Sequence, residues 1–194
     1  MPVALDAMND ESEDELMARV ASGDASAARA LTLRLAPRIF AHAVRLLGDR
    51  AEAEDATQDA LMKLWRIAPD WEPGRAQVGT WLYRVTANLC IDRIRRRRSA
   101  DLEDAPEIAD EAPPVGERMT DAQRVAALEA ALATLPARQR QAVVLKHLDD
   151  MPTGEVARIM DIGPRAAESL IARGRKALTA RLAGRRKELG YEDD

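Results

Sequence analysis

TGEVARIMDIGPRAAESLIARGRKAL, residues 153–178, is the stretch that decides the fold. Thr153 is a residue type that caps helix N-termini, and Val156, Ala157 and Met160 recur at the spacing of one helical face. Asp161-Ile162-Gly163 reads as a tight turn containing its glycine. Pro164 suits the first position of the next helix, where a backbone N–H would find no partner anyway. Two helices joined by a short Gly-containing turn make a helix-turn-helix. In the second helix Ala167, Leu170, Ile171, Gly174, Ala177 and Leu178 gather on one side, which must pack. Arg165, Ser169, Ala172 and Lys176 lie roughly opposite, flanked by Glu168, Arg173 and Arg175. Such a face suits a major groove, with base edges met near the helix N-terminus and phosphates met by the cations. An ordinary surface helix of a small bundle has the same pattern, and both readings stay open on this stretch alone.

Upstream, the chain is helical in period from Glu13 to about Arg98. Leu16 and Val20 share a face of a first helix, which Gly23 and Asp24 end; Ser26 is placed to cap a second. That second helix passes through Ala30, Leu33, Ile39, Val44 and Leu47, with Pro37 as a potential kink, and stops at Gly48-Asp49. A third helix is expected over 50–67. Ala53, Ala56, Ala60, Leu64 and Ile67 form its core stripe, and Asp55, Asp59, Met62 and Arg66 form a second, polar stripe at helical spacing. Pro69 and Pro73-Gly74 mark a loop. A fourth helix starts near Thr80 and runs through Trp81, Leu82, Val85, Leu89 and Ile91 into an arginine block.

Aromatic residues make up 3% of the chain while Ala, Leu and Arg dominate, so the expected class is all-α. The net charge of -4 argues against a polyanion binder, but the average hides a polarity. One basic block holds Arg93, Arg95, Arg96, Arg97 and Arg98, and another runs from Arg173 to Lys187. Between them, Asp101, Glu103, Asp104, Glu107, Asp110, Glu111 and Glu117 accompany three prolines and a glycine, the composition of a linker. Cys90, the only cysteine, sits in an apolar run and reads as core filler. One cysteine and two histidines far apart offer no metal-site spacing, and there is no Gly-rich phosphate loop. No cofactor and no metal are expected. With no apolar run of membrane-spanning length and an acidic N-terminus, a cytoplasmic location is expected.

Three stretches resemble one family, in the same order and spacing. AEAEDATQDALMKLWRI, residues 51–67, is similar to the helix by which small extracytoplasmic-function (ECF) sigma factors of the sigma-70 family grip the clamp helices of the RNA polymerase β′ subunit. TWLYRVTANLCIDRIRRRR, residues 80–98, resembles the family's promoter-melting and −10-reading helix. LPARQRQAVVLKHLDDMPTGEVARIMDIGPRAAESLIARGRKAL, residues 135–178, resembles its −35-reading domain. The resemblance covers about Asp14 to Leu182. It implies an acidic tail over 1–12, region 2 over 13–98, a linker over 99–118, region 4 over 119–189 and a tail over 190–194.

The same resemblance implies roles. Asp55, Gln58, Asp59, Met62 and Arg66 would meet core polymerase, with the β flap a further contact of the chain. Arg75 and Gln77, in a loop over 72–78, would help hold an extruded −10 base, as flipped-base readers do. Asn88 would read a base edge, Trp81 and Tyr83 would stack on single-stranded DNA, and Arg93, Arg95, Arg96 and Arg97 would track the backbone. Trp65 and Trp71 are assigned to packing, and Trp81 has packing as its plainer alternative. Arg165, Glu168, Ser169, Ala172, Arg173 and Lys176 would face the −35 duplex. An anti-sigma factor is expected as inhibitor, in a stress or envelope response, and no catalytic chemistry. The linker would thread toward polymerase channels or simply tether.

Two positions depart from the family pattern. The loop before Thr80 reads Arg75-Ala76-Gln77-Val78-Gly79 where an aromatic is frequent. Glu168 stands before Ser169 where a basic residue is frequent. An acid can accept from cytosine and is repelled by phosphate, so Glu168 either shifts −35 preference or pairs with Arg165 or Arg175. Two rival readings are a stand-alone helix-turn-helix regulator and a helical adaptor whose basic faces meet acidic proteins.

Overall fold

In the computed structural model, residues 11–72, 74, 76–101 and 121–183 are described, and among them every regular element is helical. Helix α1 (Glu13–Ala21) opens with a capping box: Ser12 Oγ accepts from the Glu15 N–H at 3.2 Å, and Glu15 Oε2 accepts from the Ser12 N–H at 2.7 Å. Those bonds from Ser12 hold the Glu15 carboxyl below its ordinary pKa. Leu16 and Met17 are its buried residues, and Val20 lies at the edge of the core.

Helix α2 (Ala25–Leu47) is capped by Asp24 rather than by Ser26. The Asp24 carboxylate accepts from the N–H groups of Ser26 and Ala27 at 2.8 and 3.2 Å, satisfying two donors that the helix itself leaves open. Its buried face comprises Ala27, Leu31, Leu35, Ile39, His42, Ala43, Leu46 and Leu47. Leu33 is 67% exposed: the buried face follows 27–31–35–39, and position 33 falls opposite. Pro37 lies within the helix and does not end it. Gly48 closes α2 in the left-handed region at φ 67°, where a residue without Cβ is unstrained.

Helix α3 (Arg50–Ile67) starts and ends where its periodicity says, capped by Asp49, which accepts from Glu52 N–H at 2.9 Å. Ala53, Ala56, Ala60 and Leu64 are buried; Ile67 is half-buried. A 3-10 turn, Ala68–Asp70, leads into the loop. Helix α4 (Val78–Asp101) begins two residues before the expected Thr80, where Asp14 of α1 accepts from the Val78 N–H at 3.3 Å. The signal is tertiary, which is why local sequence missed it. Helices α2, α3 and α4 pack on one another, with α1 against α2.

The second half holds α5 (Asp121–Ala133), α6 (Ala137–Val143) continuing into a π-helical turn Val144–Leu148, α7 (Thr153–Met160) and α8 (Pro164–Ala183). Thr153 is the first residue of α7, preceded by Pro152, so it does not cap through its side chain. The turn between α7 and α8 puts its left-handed residue at Asp161, φ 52°, and not at Gly163. Asp tolerates that conformation, and the Ile162 N–H reaches back to the Ala157 carbonyl at 3.0 Å to close the helix end. On α8, Ala167 and Gly174 are buried and Leu170, Ile171, Ala177 and Leu178 are half-buried, as the angular separation requires. The expected tails over 1–12 and 190–194 and the linker over 99–118 lie largely outside the described residues.

The two halves touch. Ala142, Leu145, Met151 and Val156 join Leu35, Ile39, Leu82 and Tyr83 in one buried cluster. Leu132, Leu135, Val143 and Val144 join Ala43, Leu46, Ala87 and Cys90 in another. Cys90 is fully buried, and burial pushes its thiol up to about 12.

Candidate nucleic-acid interface

The polar stripe on α3 is a surface. Asp55, Gln58, Asp59, Met62 and Arg66 are all exposed, and Met62 is a large apolar side chain left 56% in solvent. Beside it, Pro37, Phe40, Leu61, Met62 and Trp65 line a shallow apolar groove of about 500 Å³ between α2 and α3. Charged side chains around an apolar seam are what a charged coiled coil can grip, which a uniformly solvated face would not provide.

The arginine block of α4 divides by partner. Arg93 donates to Asp59 of α3 at 2.8 Å. Arg97 is paired with Glu52 and donates to the Leu47 carbonyl at 3.3 Å. Arg95 and Arg96 are exposed; Arg95 approaches Asp92 of its own helix only at 3.7 Å. Arg95 and Arg96 are therefore the cations most available to a phosphate backbone, and Arg97 is committed to holding α3 and α4 together.

Next to the start of α4 lies a cavity of about 480 Å³, large enough for a nucleobase. Ile67, Asp70, Trp71, Glu72, Ala76, Trp81 and Arg84 line it. Trp71 and Trp81 stand edge to face, 6.0 Å between centroids at 89°, so their packing is mutual while their remaining faces border the cavity. Trp71, assigned to packing from sequence, is thus also a wall of the site. Gln77 is exposed and lines a different pocket, with Asp14, Arg38 and Thr80; Arg75 lies outside the described residues. Arg84 was not singled out in the sequence, although Thr80, Arg84 and Asn88 repeat every fourth residue on one face of α4.

Tyr83 is not available to stack on DNA. It is 4% exposed and meets the His42 ring edge-on at 5.0 Å, and burial, then the Asp149 carboxylate, push its phenol up. Asn88 is exposed but borders a second cavity shared with Arg138, Gln141 and Met160 of the other half.

On α8 the separation is clean. Arg165, Glu168, Ser169, Ala172, Arg173 and Lys176 are all exposed, and Gly174 faces α6. Glu168 is exposed with the rest of the face and pairs with neither Arg165 nor Arg175 among the described residues. Among the described residues no helix is long and apolar enough to cross a membrane, and no group of His, Cys, Asp and Glu could hold a metal ion.

Comparison with known proteins returns two family models: Sigma-70 region 2 matches residues 31–100, and Sigma-70, region 4 matches residues 126–178. The chain is 33% identical over 180 residues to the ECF RNA polymerase sigma factor SigM of Mycobacterium tuberculosis, covering 91% of this chain and 87% of that one. It is 35% identical over 152 residues to the ECF sigma factor SigE of Mycolicibacterium smegmatis, covering 76% of this chain and spanning 58% of that protein's length. Among solved structures it is similar to CnrH in complex with the cytosolic domain of CnrY, with TM-score 0.69 and 26% identity over 90% of this chain and 99% of that one. It is also similar to the sigma factor RpoE in complex with the anti-sigma factor NepR from Bartonella quintana, with TM-score 0.60 and 26% identity, covering 78% of this chain and 94% of that one.

Proposed function

The chain belongs to the ECF sigma factors of the sigma-70 family, and on that premise we propose that it binds core RNA polymerase in the cytoplasm and directs it to a set of promoters. Sigma factors are initiation factors, so the chemistry of RNA synthesis belongs to the polymerase and not to this chain. Residues 13–98 form the unit that engages core and the −10 element, and residues 119–189 the unit that engages the −35 element and the β flap.

In this reading Asp55, Gln58, Asp59, Met62 and Arg66 meet the β′ clamp helices. Arg95 and Arg96, with Arg93 once it leaves Asp59, neutralise the backbone of the opened strand. A base extruded from the −10 element enters the cavity lined by Trp71 and Trp81, where an aromatic wall replaces the stacking lost in the duplex. By the resemblance, Gln77 and Arg75, the latter outside the described residues, help hold that base, and Asn88 reads a base edge. The face of Arg165, Glu168, Ser169, Ala172, Arg173 and Lys176 enters the −35 major groove.

One observation carries the reading. The polymerase stripe of α3 and the cationic face of α4 are adjacent surfaces of one packed unit, joined by Arg93 and Asp59. Melted DNA held on α4 is therefore delivered beside the polymerase held on α3, which neither a stand-alone DNA binder nor an adaptor requires. An inhibitory anti-sigma partner, in a stress or envelope response, is proposed from the likeness to RpoE, whose solved structure holds the anti-sigma factor NepR. The test is run-off transcription with purified core polymerase on fragments of the source genome. Transcripts from discrete starts are expected; their absence from every fragment would end the sigma reading.

A further inference from the structure

A polar cavity of about 410 Å³ lies where α4 meets α6 and the C-terminal end of α7. Small-molecule sites typically hold about 300–1,000 Å³. Arg84 and Asn88 of α4 line it, as do Arg138 and Gln141 of α6, and Ile159 and Met160 of α7 add apolar surface.

Two of these side chains lack partners. Gln141 is 3% exposed, yet its carboxamide makes no hydrogen bond among the described residues. A buried amide without partners is costly, and folded chains normally supply them. A leucine would fill the same place without that cost. Arg84 is half-buried, and its guanidinium makes no hydrogen bond or ion pair among the described residues. Arg138 donates from Nη2 to the Met160 carbonyl at 3.3 Å. That bond covers an open acceptor at the C-terminus of α7 and leaves further guanidinium donors for a ligand. Asp161 also borders the cavity but pairs with neither arginine among the described residues. Two guanidinium groups against one carboxylate leave the cavity with an excess of positive charge, beside a buried amide that nothing in the chain answers.

We propose that this cavity binds a nucleoside phosphate. Arg84 and Arg138 meet the phosphate, whose oxygens suit the paired donors of a planar guanidinium. The carboxamides of Gln141 and Asn88 each offer donors and an acceptor, the complement of a base edge. Ile159 and Met160 give the base an apolar surface, and Asp161 can accept from a ribose hydroxyl. Inorganic phosphate would answer the arginines alone and leave Gln141 unpaired, so the organic half of the ligand is part of the proposal. The site stands on these side chains and is independent of the sigma reading.

The test is calorimetric titration of the full chain with each of the four ribonucleoside 5′-diphosphates. Nucleosides and inorganic pyrophosphate are titrated in separate arms. At least one nucleotide should bind one-to-one and raise Tm, because it binds the folded chain and not the unfolded one. Pyrophosphate and the parent nucleoside should bind about tenfold more weakly, each having lost one set of charged or buried hydrogen bonds. Gln141→Leu keeps the side-chain volume and removes only the carboxamide. Its own Tm should hold or rise while nucleotide affinity falls about tenfold. Arg138→Gln, at an exposed position, should keep the fold and weaken affinity by about the same factor. No binding of any nucleotide at millimolar concentration would overturn the site. So would equal affinity for the unchanged chain and both variants, which would place the nucleotide on another basic surface such as that of Arg95 and Arg96. Pyrophosphate that binds as tightly as the nucleotide would overturn the nucleoside.

Discussion

Arg93 of α4 donates from Nη2 to Oδ2 of Asp59 on α3 at 2.8 Å, so a cation of the proposed DNA face and an acid of the proposed polymerase face neutralise each other in the free chain. Asp59 is 55% exposed at its side chain, and a pair so open to water contributes at most about 1 kcal/mol to stability. Its interest is functional. On the proposed reading, polymerase that engages Asp59 would release Arg93 toward DNA.

Asp59→Ala should therefore separate two properties. Capture of core polymerase should weaken by about fivefold or more, the loss expected when an interface residue worth about 1 kcal/mol is truncated. Affinity for a single-stranded −10 oligonucleotide should hold or rise, because Arg93 is freed. Asp55→Ala, whose carboxylate makes no pair with the arginine block among the described residues, should weaken capture alone. Pull-down of core together with fluorescence anisotropy on the oligonucleotide checks both. Equal loss of the two affinities in Asp59→Ala would deny the coupling.

The cavity walls predict an asymmetry between two tryptophans. Trp81→Ala removes a wall carried on the rigid helix α4 and should cost about 1–3 kcal/mol of single-strand binding, the worth of one stacked base. Trp71→Ala, in the loop after the 3-10 turn, should cost less binding but also loosen Trp81, its edge-to-face partner. Thermal melts alongside binding isotherms distinguish the roles: a Trp81→Ala protein with lowered Tm and unchanged binding would make both rings packing alone.

Glu168 projects from the exposed face of α8 without a cationic partner among the described residues. Glu168→Lys should add a phosphate contact and steepen the dependence of log K on log salt for −35 duplex by about 0.9. If Glu168 instead accepts from a cytosine, the substitution should cost affinity at one base pair only and leave the salt slope alone. Titrations of the cognate duplex and its single-base variants at several salt concentrations read both quantities.

The helices themselves were legible because each carries its own signal. α3 is bounded as its alanine stripe implies, and Gly48 and Pro164 stop and start helices for local steric reasons. The cap of α2 differed because two neighbouring residues could supply it: Asp24 caps instead of Ser26. The candidate surfaces were legible as stripes, and all of the proposed residues on α3 and α8 are exposed. What the sequence did not disclose was long-range. Tyr83 looked like a stacking residue until His42 closed over it, Arg97 looked like a DNA cation until Glu52 paired with it, and nothing local joins Asp149 to a histidine 107 residues away.

Cys90 gives a solvent-side measure of the core. Its thiol is pushed up to about 12, chiefly by burial, so it remains protonated below that value and its thiolate becomes scarcer with each unit of falling pH. At pH 8 about one molecule in ten thousand would carry the reactive thiolate, against roughly a quarter for an ordinary cysteine. Ellman's reagent should therefore react at least a hundredfold faster in denaturant than in buffer. A fast native reaction would mean that α4 leaves its neighbours readily.

Gly174 packs α8 tightly against α6. A Cβ built there would stand 2.5 Å from Cγ2 of Val143 and 3.0 Å from the Gln139 carbonyl oxygen, the second of which is backbone and cannot rotate away. Gly174→Ala gains up to about 1 kcal/mol of helix propensity. It loses about 1–3 kcal/mol to the displacement that the clash forces. The loss should win, lowering Tm by a few degrees at about 2–4 °C per kcal/mol for a chain of this size. Because the clash pries α8 from α6 without touching the exposed face of Arg165 and Lys176, −35 affinity at low temperature should fall less than stability does. Calorimetry and duplex binding at 10 °C test the two halves of that statement, and a raised Tm would show that the helices separate at no cost.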